Sequence, residues 1–204
     1  MSVVAQDLEV VSVRLDDPLA AILLDELYVE YRDRYADLMP PLDVSDEELR
    51  RRVAEFRNEG LDEFVAPDGD LVLLLADGSP VAGGAFRRRA EPELGDPARR
   101  LAHPSSGHAH DADGVPLVAT AELKRIWTHS QHRREGLGRV VVAELERRAA
   151  ALGYVRVYLT TGPRQPEAVG LYLAAGYVPL FDPALVGAPE APGVLTPRPF
   201  EKWL

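Results

Sequence analysis

The sequence contains no cysteine. That absence excludes disulfides, thiolate metal sites and a cysteine nucleophile, and with the last of these an acyl-enzyme carried on a thiol. No apolar run approaches the roughly 18 residues that a membrane-spanning helix requires, so no membrane partner is expected. Met1–Asp7 lack the basic start and apolar centre of a secretory leader, and a cytoplasmic setting is expected. Basic residues are in short supply: 23 Lys and Arg stand against 33 Asp and Glu, for a net charge of −10. Phosphate-backbone binding wants a basic surface, so nucleic acid is not an expected partner. The acidity either steers a cationic or polar small substrate or only keeps the protein soluble.

What remains is the composition of an ordinary globular protein, 46% apolar and 27% charged over 204 residues. That length suits one α/β domain spanning 1–204. Leu8–Leu15 carries Val10, Val11 and Val13 and reads as a strand. Asp16-Asp17-Pro18 offers an acidic cap and a first-turn proline. Leu19, Ile22, Leu23, Leu27 and Tyr31 then recur at helical spacing, which predicts a helix to Tyr35. Tyr28, Tyr31 and Tyr35 are expected in its core or rim. Pro40-Pro41 ends it, and Asp43–Glu48 opens a second helix that closes near Gly60.

Asp70–Ala76, the turn dipeptide Asp77-Gly78 and Pro80–Arg89 predict a β-hairpin. Arg87, Arg88 and Arg89 alternate faces there, a solvated edge from which one arginine could reach a substrate carboxylate. Ala90–Gly114 loses all pattern and is expected to be a flexible insertion; its His108–Asp113 cluster is expected to hold no metal. Val118–Thr128 is the next strand. A helix with Leu137, Val141, Leu145, Ala149 and Leu152 on one stripe follows, capped by Gly153. Val155–Thr160 returns as a strand, which implies a parallel crossover. A helix from Pro166 to Gly176, a short strand Tyr177–Phe181 and a last strand Phe200–Leu204 complete the order.

The most informative stretch is Arg133-Arg134-Glu135-Gly136-Leu137-Gly138-Arg139, between a strand and a helix. Glycines there let main-chain N–H groups approach a ligand, and a helix N-terminus favours an anion. With three arginines in the turn, the arrangement suits a pyrophosphate. A dinucleotide fingerprint needs a small residue where Val141 stands, and no Gly-Lys-Ser/Thr triplet supports a P-loop.

Two segments at this separation, with these elements between them, resemble the GNAT superfamily of N-acetyltransferases. Arg133, Gly136 and Gly138 match its Arg/Gln-x-x-Gly-x-Gly/Ala signature. Gln165–Tyr172 followed by Ala175-Gly176-Tyr177 is similar to its closing Asn-x-x-Ala-x-x-x-Tyr segment, with Gln165 in place of the asparagine. Phe200-Glu201-Lys202-Trp203-Leu204 resembles its last strand. The resemblance covers nearly the whole chain and is strongest from Ala121 to Phe181.

The resemblance implies an α/β fold with a mixed central sheet of about six to seven strands, flanked by about four helices. It implies transfer of the acetyl group of acetyl-CoA to a primary amine of a small molecule or peptide, by direct attack and without a metal. The contrasting reading is an acyl-CoA-binding sensor or assembly module. Dimers are common in the superfamily, so a homodimer is among the expected assemblies.

By the same resemblance, pantetheine and pyrophosphate fall to the main chain of Ile126, Trp127 and Thr128 and to Arg133, Arg134, Glu135, Gly136, Leu137, Gly138 and Arg139, with Gln165 and Ala168 on the cofactor side. A splay between the fourth and fifth strands would make the slot. Tyr172 is expected to donate to the leaving thiolate; a phenol near ~10 is still protonated where a thiol near ~8.5 begins to ionise. Glu122 is the expected base, directly or through water, although an unshifted glutamate near ~4.3 is a weak one. Alternation places Glu122, Lys124, Ile126 and Thr128 on one face. Residues 35–43 are expected to border the acceptor.

Overall fold

The computed structural model describes residues 8–37, 47, 51, 54–55, 60–89, 100–102, 110, 114–185 and 196–204. Its strands are β1 (Glu9–Val13), β2 (Asp70–Ala76), β3 (Ser79–Arg88), β4 (Arg100–Ala102), β5 (Leu117–Thr128), β6 (Arg156–Thr161), β7 (Val178–Pro179) and β8 (Arg198–Trp203). Three helices are described in full: α1 (Ala21–Arg34), α2 (Leu137–Ala151) and α3 (Pro166–Ala174). Seven strands follow the order β1-β2-β3-β5-β6-β8-β7, and β4 adds to β5 off that path. The sheet is mixed: β5 pairs parallel with β6 and with β4, and the other pairs are antiparallel. Among the described residues no helix is long and apolar enough to cross a membrane.

Local chemistry accounts for the element ends. Asp17 accepts from the Leu19 N–H at 2.8 Å and starts a short 3-10 turn, Pro18–Ala20, that leads into α1. The β2–β3 hairpin turns on Asp77 (φ 49°) and Gly78 (φ 76°), the left-handed pair that a tight two-residue turn requires. Both faces of the sheet are covered. Leu23, Leu24 and Leu27 of α1 pack with Leu71, Leu73 and Trp127 on one side. On the other, Val141, Val142 and Leu145 of α2 and Val169 and Tyr172 of α3 pack on Val72, Leu123, Leu159 and Phe200.

Of the expected second helix, Glu47, Arg51, Ala54 and Glu55 are helical and the rest lies outside the described residues. The patternless stretch 90–114 contains a strand after all: β4 runs parallel to the start of β5, with Arg100, Leu101 and Ala102 opposite Leu117, Val118 and Ala119. Three residues are too few for a periodicity to show, and only the pairing with β5 reveals them. Of the His108–Asp113 cluster only His110 is described; it forms a bridge with Pro116.

Candidate active site

The site begins with a fault in β5. Its parallel ladder with β6 runs only from Thr120↔Arg156 to Leu123↔Leu159, whereas its ladder with β3 continues to Thr128↔Ala82. Beyond Leu123 the two parallel strands part. The cause lies in the β3 register: Ala85 faces Lys124 and Gly83 faces Trp127, so Arg125 and Ile126 both stand opposite Gly84. Arg125 has φ 56°, and this β-bulge bends the strand away from β6. Gly84 permits it, because a Cβ there would lie 2.6 Å from Ile126 Cδ1.

The bulge corrects one expectation. Ile126 packs with Ala121 and Leu123 on the α2 side, while Trp127 packs against α1. Strict alternation fails at the extra residue. Glu122 and Lys124 therefore do not share a face with Ile126 and Thr128.

The parting strands open a cleft of about 810 Å³. From β5 it is lined by Ile126, Trp127 and Thr128. The turn contributes Arg133, Arg134, Gly136, Leu137, Gly138 and Arg139, and α3 contributes Gln165, Ala168 and Tyr172. Of the expected site residues, Glu135 and Glu122 do not line it. Glu135 lies 3.6 Å from His132. Trp127 borders the cleft near its main chain, since its indole is buried under α1 and donates to Glu26 at 3.0 Å.

At the turn, Arg134 (φ 66°) and Gly136 (φ 84°) both adopt the left-handed region. A Cβ on Gly136 would meet nothing within 4 Å, so the space in front of the turn is open. Arg139 and Val140 donate to the Gly136 carbonyl, at 3.0 and 3.4 Å, and begin the helical ladder. The N–H groups of Leu137 and Gly138 precede it and are free to meet an anion. Arg134 and Arg139 are exposed and form no ion pair among the described residues. Arg133 instead meets Glu30 of α1 at 2.6 Å.

Helix α1 supplies residues the sequence reading missed. Glu26, Glu30 and Arg34 recur every four residues and dock on successive edges of the cleft. Glu26 accepts from Trp127 Nε1 and from the Ser130 N–H (both 3.0 Å) and hydroxyl (2.8 Å). Burial alone would raise its pKa, but these hydrogen bonds hold it below the ordinary value. Arg34 donates to the Arg164 carbonyl at 2.6 Å and pairs with Glu167. Tyr31 lines the cleft, and burial pushes its phenol up, with Tyr35 and Glu30 adding to the shift. The 26, 30, 34 spacing was legible in the sequence; its partners lie about 100 to 130 residues away, and no local pattern indicates them.

Tyr172 is 6% exposed on the cleft wall, and burial foremost, with Tyr31 second, raises its pKa well above the usual phenol range. Its hydroxyl therefore stays protonated at neutral pH. Gln165 accepts from the Thr161 hydroxyl and the Gly162 N–H, both at 2.8 Å, and so shapes the lip that faces the turn. Glu122 has a different character. Its carboxylate meets Lys124 at 2.9 Å, Arg87 at 3.0 Å and Arg89 at 3.4 Å. Burial would raise its pKa, yet Lys124, Arg87 and Arg89 override this and hold it below the ordinary glutamate value. That is the opposite of what a base for an ammonium ion needs.

Among the described residues no group of three or more His, Asp or Glu could hold a metal ion. A family model described as the acetyltransferase (GNAT) family matches residues 24–177. Among curated proteins no relative matches the sequence. Solved structures resemble the fold. The PaiA N-acetyltransferase of Thermoplasma acidophilum, in complex with coenzyme A, aligns over 98% of this chain and all of its own (100%), at 14% identity and TM-score 0.59. An acetyltransferase of Streptococcus agalactiae covers 98% and 99% of the two chains at 16% identity and TM-score 0.55. A GNAT-family acetyltransferase of Staphylococcus aureus Mu50 covers 96% and 98% at 11% identity and TM-score 0.55.

Proposed function

The chain belongs to the acetyltransferase (GNAT) family, and on that footing we propose that it moves the acetyl group of acetyl-CoA to a primary amine by direct attack. The observation that carries this reading is the parting of β5 from β6 after Leu123, which leads straight to the open glycine turn. Acetyl-CoA, when bound, supplies the activated thioester. Lys124–Thr128 of β5 lack a β6 partner and offer main-chain donors and acceptors to an extended chain, much as an added strand would. The N–H groups ahead of Arg139, with Arg134 and Arg139 beside them, suit the diphosphate.

In this mechanism Ile126 or Trp127 presents a main-chain N–H group toward the acyl oxygen. The Tyr172 hydroxyl donates to the sulfur as negative charge grows there, and its raised pKa keeps the proton available. Glu122 serves as the hub of an ion-pair cluster and not as the base. The amine proton leaves to water, and the cations of the cleft wall favour the neutral amine by like-charge repulsion. The whole chain, 1–204, works as one domain, and a homodimer is the natural assembly to test first.

Thiol release from acetyl-CoA, followed over a panel of small amines and peptides, tests the reading. Release that depends on the amine is expected. Tight CoA binding without release for any amine would move the protein to the sensor class.

A further inference from the structure

We propose that the acceptor amine carries an anionic group, held by Lys124 and Arg125 where β5 and β6 part. This rests on the acetyl-transfer reading and narrows its substrate class. The chain as a whole is acidic, at −10, which favours cationic ligands at long range. The cleft has the opposite balance. Its two lining carboxylates are both engaged: Glu30 meets Arg34 at 3.0 Å and Arg133 at 2.6 Å, and Glu167 meets Arg34. Against them, Lys124 and Arg125 line the cleft at consecutive positions just past Leu123, the last residue paired with β6.

The carboxylate that meets Lys124 is oversubscribed. Glu122 is shared by Lys124, Arg87 and Arg89, and the one other acid in the cluster among the described residues, Glu63, sits on Arg87. Three cations thus face two carboxylates around a centre removed from water, where Arg89 is 7% exposed and Glu122 4%, with Lys124 and Glu63 at its more exposed rim. The Nε of Arg89 is buried with no hydrogen-bond partner, a further sign that donors exceed acceptors. Lys124 is only half-buried and can turn its ammonium to a ligand while Arg87 and Arg89 keep Glu122 satisfied.

Arg134 and Arg139 stand by the turn that suits the diphosphate; Lys124, paired with Glu122, and Arg125, whose guanidinium lies 5.8 Å from the centre of the Phe64 ring, stand instead on the strand where β5 leaves β6. A carboxylate or phosphonate on the acceptor would be met there by charge-assisted hydrogen bonds. The same positive potential keeps the neighbouring amine neutral, the form that attacks.

The test uses acceptor pairs with and without the anion, compared at a pH chosen to give each pair equal neutral amine: alanine against alaninamide, β-alanine against its amide, and 2-aminoethylphosphonate against ethanolamine. The anionic member is expected to have the higher kcat/KM by about tenfold or more, mainly through KM. Whether the carboxylate or the phosphonate pair shows the larger ratio identifies the group. Lys124→Gln and Arg125→Gln should collapse that ratio while the KM for acetyl-CoA moves far less.

A binding measurement separates this proposal from the reading beneath it. N-acetylalanine and N-acetylalaninamide are titrated into the CoA-saturated protein by calorimetry. Tighter binding of the acid, lost in Lys124→Gln, supports the anion subsite even if no amine is turned over, in which case only the enzyme reading falls. Turnover without preference for the anionic member, or equal binding of the two products, overturns the subsite and leaves acetyl transfer standing.

Discussion

Arg34 and Arg164 hold each other's backbone: the Arg34 guanidinium donates to the Arg164 carbonyl at 2.6 Å, and the Arg164 guanidinium donates to the Arg34 carbonyl at 2.8 Å. This reciprocal pair joins the end of α1 to the loop between β6 and α3, the two lips of the cleft. Asp37 on one side and Glu167 on the other neutralise the two cations. Tyr35 lies beneath, its hydroxyl accepting from the Arg164 N–H at 3.3 Å. Together with Glu30–Arg133, the contacts make α1 a strap across a gap that the sheet itself leaves open.

Replacement of Arg34 with alanine should loosen that strap. A loss of about 1 kcal/mol, suited to a partly exposed pair, would lower Tm by roughly 2–4 °C in a chain of this size. The KM for acetyl-CoA should rise several-fold, because both lips of the cleft lose their common tie. Unchanged Tm and KM in the same variant would show that the contacts are incidental.

Gly136 separates backbone strain from blockage. An alanine at φ 84° meets no neighbour but costs about 1 kcal/mol from its left-handed conformation. Gly136→Ala should therefore lose stability and keep much of its CoA binding, whereas Gly136→Trp fills the open space and should abolish it. Calorimetric titration with CoA reads both. A folded Gly136→Trp with normal affinity would remove the diphosphate from this turn.

Tyr172→Phe keeps the ring packing against Tyr177 and Phe200 and removes only the hydroxyl. Turnover should fall by about tenfold to a hundredfold with CoA affinity little changed. Equal turnover in mutant and parent would assign the ring to packing alone.

Glu122→Gln distinguishes a base from an ion-pair hub. Loss of a buried charge among three cations should cost about 2–4 kcal/mol at neutral pH. The folded-state pKa of Glu122 is depressed, so its contribution is fully present above the unfolded value near 4.5 and is lost as pH falls through the folded value. The stability gap between parent and variant should therefore be widest at pH 7 and close below about pH 4.5. The acidic limb of the kcat/KM profile should be unaltered by the substitution. Its disappearance in Glu122→Gln would restore the carboxylate as the base.

Much of the fold was legible because it depends on near neighbours in the chain. The Asp77-Gly78 turn, the Asp17 cap, the α2 stripe and the glycine turn each follow from residues within a few positions of one another. The register of β5 was not legible. Lys124-Arg125-Ile126-Trp127 reads as plain alternation, and only the glycines of β3 across the ladder allow an extra residue at 125. That insertion separated Glu122 from Ile126 and opened the cleft. Glu122 could be located in the sequence, but its three cations could not be assigned to it, because Arg87 and Arg89 reach it only through the pairing of β3 with β5.

The sequence by itself determined the order of elements apart from β4, the glycine turn before α2 and the family, since these are written in spacing that survives without neighbours. The tertiary structure alone decided where β5 leaves β6, which acids are already neutralised and what charge the cleft presents. Those properties arise from main-chain register and from ion pairs between residues far apart in the chain, and both are settled only when the sheet and α1 close on one another.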